Sequence, residues 1–221
     1  MARDARRAQI LTVAQHLFAH EGFHHVSMDD IADRAEVSKP VLYRHFPSKL
    51  DLYLAVVDQR GEALVAAVDE ALAIVAAGDQ QTGRGVVRAI VRAYVEFVEN
   101  AGESFSLLFE SDVTRDTGVR NRVDQASAEA ARAICRGLQE LAGLPSEQAE
   151  LLSTALVGMA RVAATSRYRT QEVPVEDAVE LVTQLAWRGV AGFVRDPADG
   201  VEPPVEPTVA PPAEGAVPAA E

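Results

Sequence analysis

Three helix starts set close together constrain this chain more than any other feature. They fall in the stretch SMDDIADRAEVSKPVLYRHFPSK, residues 27–49. Ser27 can accept a hydrogen bond from the Asp30 backbone while the Asp30 carboxylate reaches back, which makes a capping box, and Val26 and Ile31 are spaced as its hydrophobic staple. Ser38 stands likewise before a second helix, with Val37 and Leu42 as its staple. Pro40 falls in that helix's first turn, where a missing N–H does little harm. Ser48 and Asp51 repeat the capping pattern for a third helix. Ile31, Ala32, Ala35, Val37, Leu42 and Phe46 then form an apolar interior. Lys39, Pro40, Val41, Tyr43, Arg44 and His45 point outward from the second helix.

Two short helices joined by a tight turn are the layout of a helix-turn-helix, which reads duplex DNA. A preceding helix is expected over residues 4–20, with Ile10, Leu11, Ala14, Leu17 and Phe18 at helical spacing and Gly22 at its C-terminal stop. It completes a three-helix domain over residues 1–47. The chain has two lysines, Lys39 and Lys49, each at the first position of a helix. A cation there opposes the helix dipole, a mismatch that a DNA phosphate at the helix N-terminus would offset. Lys39, Val41 and Arg44 are therefore the expected base contacts, since arginine can bond guanine twice and Pro40 or Val41 can meet a thymine methyl. Ser27, Ser38, Tyr43, His45 and Lys49 are the expected phosphate contacts. Arg3, Arg6 and Arg7 either reach a neighbouring minor groove or end as a solvated arm.

The net charge of −12 is unusual for a DNA-binding chain, but it is unevenly placed. Residues 1–50 carry seven Lys+Arg against six Asp+Glu, and all five histidines; the remainder carries 14 against 27. An acidic body repels DNA and leaves one docking face, besides aiding solubility.

After residue 50 helical spacing dominates, so the fold class is all-α. Helices are expected over 48–77, 85–100, 118–142, 146–169 and 175–194, with a short apolar segment over 105–109. Together they form a second domain, 48–195, for dimerisation and ligand binding. From residue 196 the composition changes: seven of eleven prolines and six acids, without Lys or Arg, predict a disordered tail over 196–221. Leu151, Leu152, Ala155, Leu156, Met159, Val162 and Ala163 share one broad side of a helix. Leu181, Val182, Leu185, Val190 and Val194 do so on the next, with Gly158, Ala160, Ala164, Gly189 and Gly192 allowing close approach. These residues divide between core and a pairing surface. Tyr94, Phe97, Phe105, Leu108, Phe109, Tyr168 and Trp187 can line an apolar ligand cavity or simply fill the core.

The head resembles the TetR family of bacterial transcriptional regulators. The residues that carry the likeness are the run FAHEGF at 18–23, Ile31-Ala32, Val37-Ser38 and the run LYRHFPSK at 42–49. Glu36 departs from the family's frequent glycine in the turn, where a left-handed backbone costs about 1 kcal/mol. The lone cysteine and the lack of a membrane span or secretory pattern read as a cytoplasmic protein, and the resemblance implies a homodimer on a palindromic double-stranded operator, paired through the last two helices as a four-helix bundle. It also implies a repressor released when a small lipophilic ligand among the central helices changes the spacing of the DNA heads.

Residues 30–33, 37–43, 48–56, 107–110, 157–159 and 184–187 resemble, more narrowly, actinobacterial regulators of fatty-acid synthesis in that family, which respond to long-chain acyl-coenzyme A. Such a ligand needs cations for its phosphates. Arg84, Arg88 and Arg92 form a stripe, with Arg120 and Arg122 elsewhere, although the stripe also reads as a solvated face with Arg92 paired to Glu96. The alternatives are a ligand-independent or partner-controlled DNA binder with a solid core, and a carrier of lipophilic molecules.

Other classes find little support. Cys135 stands alone and excludes an internal disulfide. No apolar run reaches the length of a membrane span, and the N-terminus lacks a secretory pattern. His16 and His20 have metal-sharing spacing but no convincing third ligand. No nucleophile motif, phosphate loop or nucleotide fingerprint appears, so no enzyme activity, cofactor or metal is expected.

Overall fold

The computed structural model describes residues 3–77, 82–109, 113, 116–142 and 144–190. The expected tail at 196–221, the end of the last expected helix with Gly192 and Val194, and the side chain of Val190 lie outside the described residues. The chain is all-α, with no strand among the described residues.

Helix α1 (Arg3–Glu21) stops where Gly22 takes φ +80°, its N–H donating to the Phe18 carbonyl at 3.1 Å. Helix α2 (Met28–Arg34) starts in a complete capping box: the Asp30 N–H donates to Ser27 Oγ at 3.1 Å, and the Ser27 N–H to Asp30 Oδ2 at 2.9 Å. Glu36 sits in the left-handed region at φ 53°, as the turn requires, and α3 (Lys39–His45) follows. Ser38 is its cap by position only. Its hydroxyl makes no capping hydrogen bond, and the first turn closes on its carbonyl instead, with the N–H groups of Val41 and Leu42 at 2.9 and 3.1 Å. The hydroxyl thus stays uncommitted to the helix. Helix α4 (Lys49–Ala77) begins with Ser48 and Asp51 as expected, the Asp51 N–H donating to Ser48 Oγ at 3.0 Å.

In the body, α5 (Gly83–Ala101) begins two residues before the expected Gly85 because Thr82 caps it, accepting from the Gly85 N–H at 3.1 Å. A 3-10 turn (Gly102–Phe105) leads into the single turn α6 (Ser106–Phe109), then α7 (Thr117–Ala142), α8 (Ser146–Thr170) and α9 (Val175–Val190). Helix α4 runs from head to body. Near its start Tyr53 meets Phe18 and Phe23 edge-on, with ring centroids 5.2 and 5.1 Å apart. Farther along, Leu64 and Val68 are buried where α4 packs on α5 and α7. At that crossing a Cβ on Gly61 would lie 3.0 Å from the Ala126 Cβ, so the two helices meet as closely as a glycine allows.

The apolar sides of α8 and α9 divide. Ala160, Ala164, Val179 and Ala186 are buried, while Leu151 (73% exposed), Val162 (58%), Leu181 (60%) and Leu185 (66%) face outward. Between them, a Cβ on Gly158 would touch nothing within 4 Å.

Candidate DNA interface and effector site

Helix α3 presents its outward side as expected: Lys39, Pro40, Tyr43 and Arg44 are exposed, Val41 and His45 half-exposed, while Leu42 is buried against the head. Lys39 is held by Asp29 of α2 at 2.6 Å, an exposed ion pair that raises its pKa. A base or phosphate must take it from that partner.

Lys49 is placed differently from a free phosphate contact. Its Nζ donates to the carbonyls of Phe23 at 2.8 Å and Val26 at 2.9 Å, and it lies 4.4 Å from the Phe23 ring centroid. Two of its three protons thus fix the segment between α1 and α2, and one remains for an anion.

The N-terminal arginines do not form an arm. From Arg3 onward the backbone is helical, Arg6 donates to Gln9 at 3.0 Å, and Arg7 stacks 4.9 Å over Phe46. Helical backbone and packing on Phe46, just past α3, take the place of the extended conformation that a minor-groove arm needs. Gln9, not singled out in the sequence, ties α1 to the turn by donating to the Ala35 carbonyl at 3.0 Å. Arg3 and Arg6 instead share a cleft of about 550 Å³ with Val41, Arg44 and His45. Desolvation pushes the His45 pKa down, and the charges of Arg44, Arg3, Arg7 and Arg6 push it further. Before DNA arrives this is a mutually repelling cationic surface, matched to a phosphate backbone. Ser27 does not line this cleft, and its hydroxyl donates to Asp30 Oδ2 at 2.6 Å.

In the body the seven aromatic and apolar candidates fall into groups. Tyr94 stacks on Phe109 (6.4 Å, 20°), and Phe97 meets Phe109 edge-on at 6.1 Å. Phe105 meets Tyr168 at 5.1 Å. Leu108 is buried, and Trp187 is half-buried against the same core. Tyr94 is fully buried, its hydroxyl has no hydrogen-bond partner, and desolvation raises its pKa strongly. The stripe of Arg84, Arg88 and Arg92 is partly solvated, with Arg84 and Arg88 exposed, but it is not a free phosphate site. It is bonded to Glu176 and Glu180 of α9, and Arg92 also keeps the expected Glu96 at 3.1 Å. The long-range partners lay beyond any sequence spacing. Arg122 pairs with Asp58 of α4 at 2.8 Å. The rings of His16 and His20 lie 4.3 Å apart and tilted by 44°, and no cluster of three metal-binding side chains occurs among the described residues.

A capped helix-turn-helix with a cationic reading face, carried on a helical body, defines a DNA-binding transcriptional regulator. Residues 10–56 match the model for bacterial regulatory proteins of the tetR family, and residues 84–189 match a tetracyclin repressor-like C-terminal domain. A protein of Mycolicibacterium smegmatis, the HTH-type transcriptional activator FasR, is 35% identical over 193 residues, covering 86% of this chain and 85% of that protein. A TetR-like regulator from Rhodococcus sp. RHA1 superposes with a TM-score of 0.68 at 30% identity, over 87% of this chain and 99% of that one. A tetR-family regulator from Streptomyces coelicolor does so at 0.66 and 26%, over 87% and 82%. The chain belongs to the TetR family of bacterial transcriptional regulators. It is a regulator that binds DNA, and not an enzyme.

Proposed function

We propose that the chain is a cytoplasmic homodimer whose two heads, residues 1–47, grip the halves of a palindromic operator. A small lipophilic effector in the body, residues 48–195, alters that grip, and a long-chain acyl-coenzyme A is the first candidate. The observation that carries the dimer is the uncovered row of Leu151, Val162, Leu181 and Leu185 on α8 and α9, an apolar surface that a second copy would bury. Lys39, Val41 and Arg44 read bases in this assignment. Ser27, Ser38, Tyr43, His45 and Lys49 position the phosphates, and Arg3 and Arg6 join them.

For the effector, support comes from the Tyr94, Phe97 and Phe109 cluster, whose buried hydroxyl lacks a partner. The tight packing of Phe105 and Leu108 favours the second reading, a solid-cored binder without a ligand. As to sign, the relative from Mycolicibacterium smegmatis bears the name of an activator, which favours activation over the repression expected from the family likeness.

Fluorescence anisotropy on duplexes tiled across the DNA upstream of the protein's own gene tests both parts, with and without oleoyl-coenzyme A. Tight binding to one tile that changes with oleoyl-coenzyme A supports the full reading. Binding that ignores every lipophilic compound supports the solid core. Leu185→Arg should convert the protein to a monomer by sedimentation and weaken operator binding; a variant that stays dimeric overturns the assigned face.

A further inference from the structure

Most arginines of the body whose partners are described meet a carboxylate: Arg84, Arg88, Arg92, Arg122, Arg132 and Arg167 all do. Arg60 and Arg161 do not; among the described residues, each lies over an aromatic ring without an ion pair. Arg60, on α4, is 5.0 Å from the Phe97 centroid, and its buried Nε lacks a hydrogen-bond partner. Arg161, on α8, is 5.9 Å from the Phe109 centroid. These two rings touch each other, and Phe109 also stacks on Tyr94. Three groups that want an anion or an acceptor therefore surround one aromatic cluster: two guanidinium ions and a fully buried phenol. A ring face compensates a cation only partly, and does nothing for an unpaired hydroxyl.

The cluster is not sealed. Phe109 and Arg161 line an open cleft of about 390 Å³ together with Val162, Thr165, Ser166 and Arg169. That volume falls in the range of small-molecule sites. Guanidinium groups beside hydroxyls are the side chains that recognise carboxylate and phosphate oxygens. Arg161 stands near enough to Tyr94 for its charge to favour the phenolate.

We propose that this cleft is the head-group site of an amphipathic anion, whose carboxylate or phosphate oxygens accept from Arg161 and from the Tyr94 hydroxyl while its apolar part packs on Phe97 and Phe109. Phe109, whose ring meets both Tyr94 and Arg161, is the group that turns aside. Val162 belongs both to this cleft and to the uncovered row on α8, so an occupied site abuts the pairing face. This ties the ligand to the geometry of the dimer and hence to the spacing of the heads. The inference rests on the effector reading above.

Calorimetric titration of the full chain with oleoyl-coenzyme A, sodium oleate, free coenzyme A and oleyl alcohol tests it. The anionic amphiphiles should bind about tenfold or more tightly than the alcohol, the usual worth of a charge-assisted hydrogen bond. Oleate against oleoyl-coenzyme A separates a carboxylate head from a phosphate one, and free coenzyme A shows whether the apolar part is needed. Arg161→Gln should bring the anions down to the level of the alcohol without changing operator binding in the absence of ligand. Tyr94→Phe should weaken the anions several-fold yet raise the ligand-free melting temperature, because it deletes an unpartnered hydroxyl. Alcohol binding as tightly as the anions, or an Arg161→Gln protein unchanged towards them, overturns the head-group site and leaves the effector reading standing. If none of the amphiphiles binds, the effector reading falls and the site with it.

Discussion

The guanidinium of Arg92 on α5 holds the carboxylate of Glu176 on α9 by two parallel hydrogen bonds of 2.6 Å, Nη1 to Oε1 and Nη2 to Oε2. Arg84 and Arg88 continue the strap to Glu180. These ion pairs fasten helix α9 to α5. The Arg92 bonds hold the Glu176 carboxyl below its ordinary range.

Arg92→Ala should lower the melting temperature at neutral pH and low salt. A carboxyl whose folded pKa is depressed adds stability that is present above its unfolded value and lost as pH falls through the folded one. The gap between wild type and variant should therefore close below about pH 4 and shrink in about 1 M salt. Calorimetric scans at two pH values and two salt concentrations check it; a gap that persists in acid means Arg92 acts through packing.

His45 should make operator binding proton-linked. Its pKa is depressed in the free protein by desolvation and by Arg44, Arg3, Arg7 and Arg6. Phosphates that neutralise those cations would raise it, so the complex takes up a proton. Affinity should then rise as pH falls from about 8 to about 6. His45→Gln should flatten this dependence in anisotropy titrations, while a slope retained in the variant assigns it to another histidine of the head.

Arg44→Ala should relax preference at one base pair at a cost of about 1–3 kcal/mol. Binding to an operator and to its singly substituted versions measures this. Equal weakening on every sequence would make Arg44 a phosphate contact.

Lys49→Met keeps most of the stem over Phe23 but frees the carbonyls of Phe23 and Val26. It should cost about 1–3 kcal/mol of stability and weaken all DNA sequences alike, with the salt slope lowered by about one. Denaturant unfolding beside salt titration separates the two effects; lost affinity at full stability returns Lys49 to a purely phosphate role.

Gly61→Val should destabilise by about 1–3 kcal/mol, because the added Cβ meets the Ala126 Cβ, which has no flexible end to move. Urea midpoints check it, and Ala126→Gly in the same chain should restore part of the loss.

Much of the head was legible because its signals are short-range. The Ser27–Asp30 and Ser48–Asp51 caps lie three residues apart, and the Glu36 turn sits between two such starts. The partial failures were equally physical. Ser38 has the residue type of a cap but its hydroxyl makes no capping bond, and the Thr82 cap was missed because glycines follow it instead of an apolar run. In the body, ring-bearing residues were recognisable as interior, but nothing in their spacing said which would meet.

The sequence by itself determined the all-α class, the helix starts of the head, the outward side of α3 and the family to which the chain belongs. Capping bonds and apolar periods are written by neighbours in the chain, and they act before any tertiary packing. Tertiary structure decided which charges are spent and which are left. Arg92 meets a carboxylate 84 residues away, Lys49 is drawn into two backbone carbonyls, and Arg60 and Arg161 are left facing rings. Such partners are set by how whole helices cross, and a crossing depends on side chains far apart in the chain, which no local pattern records.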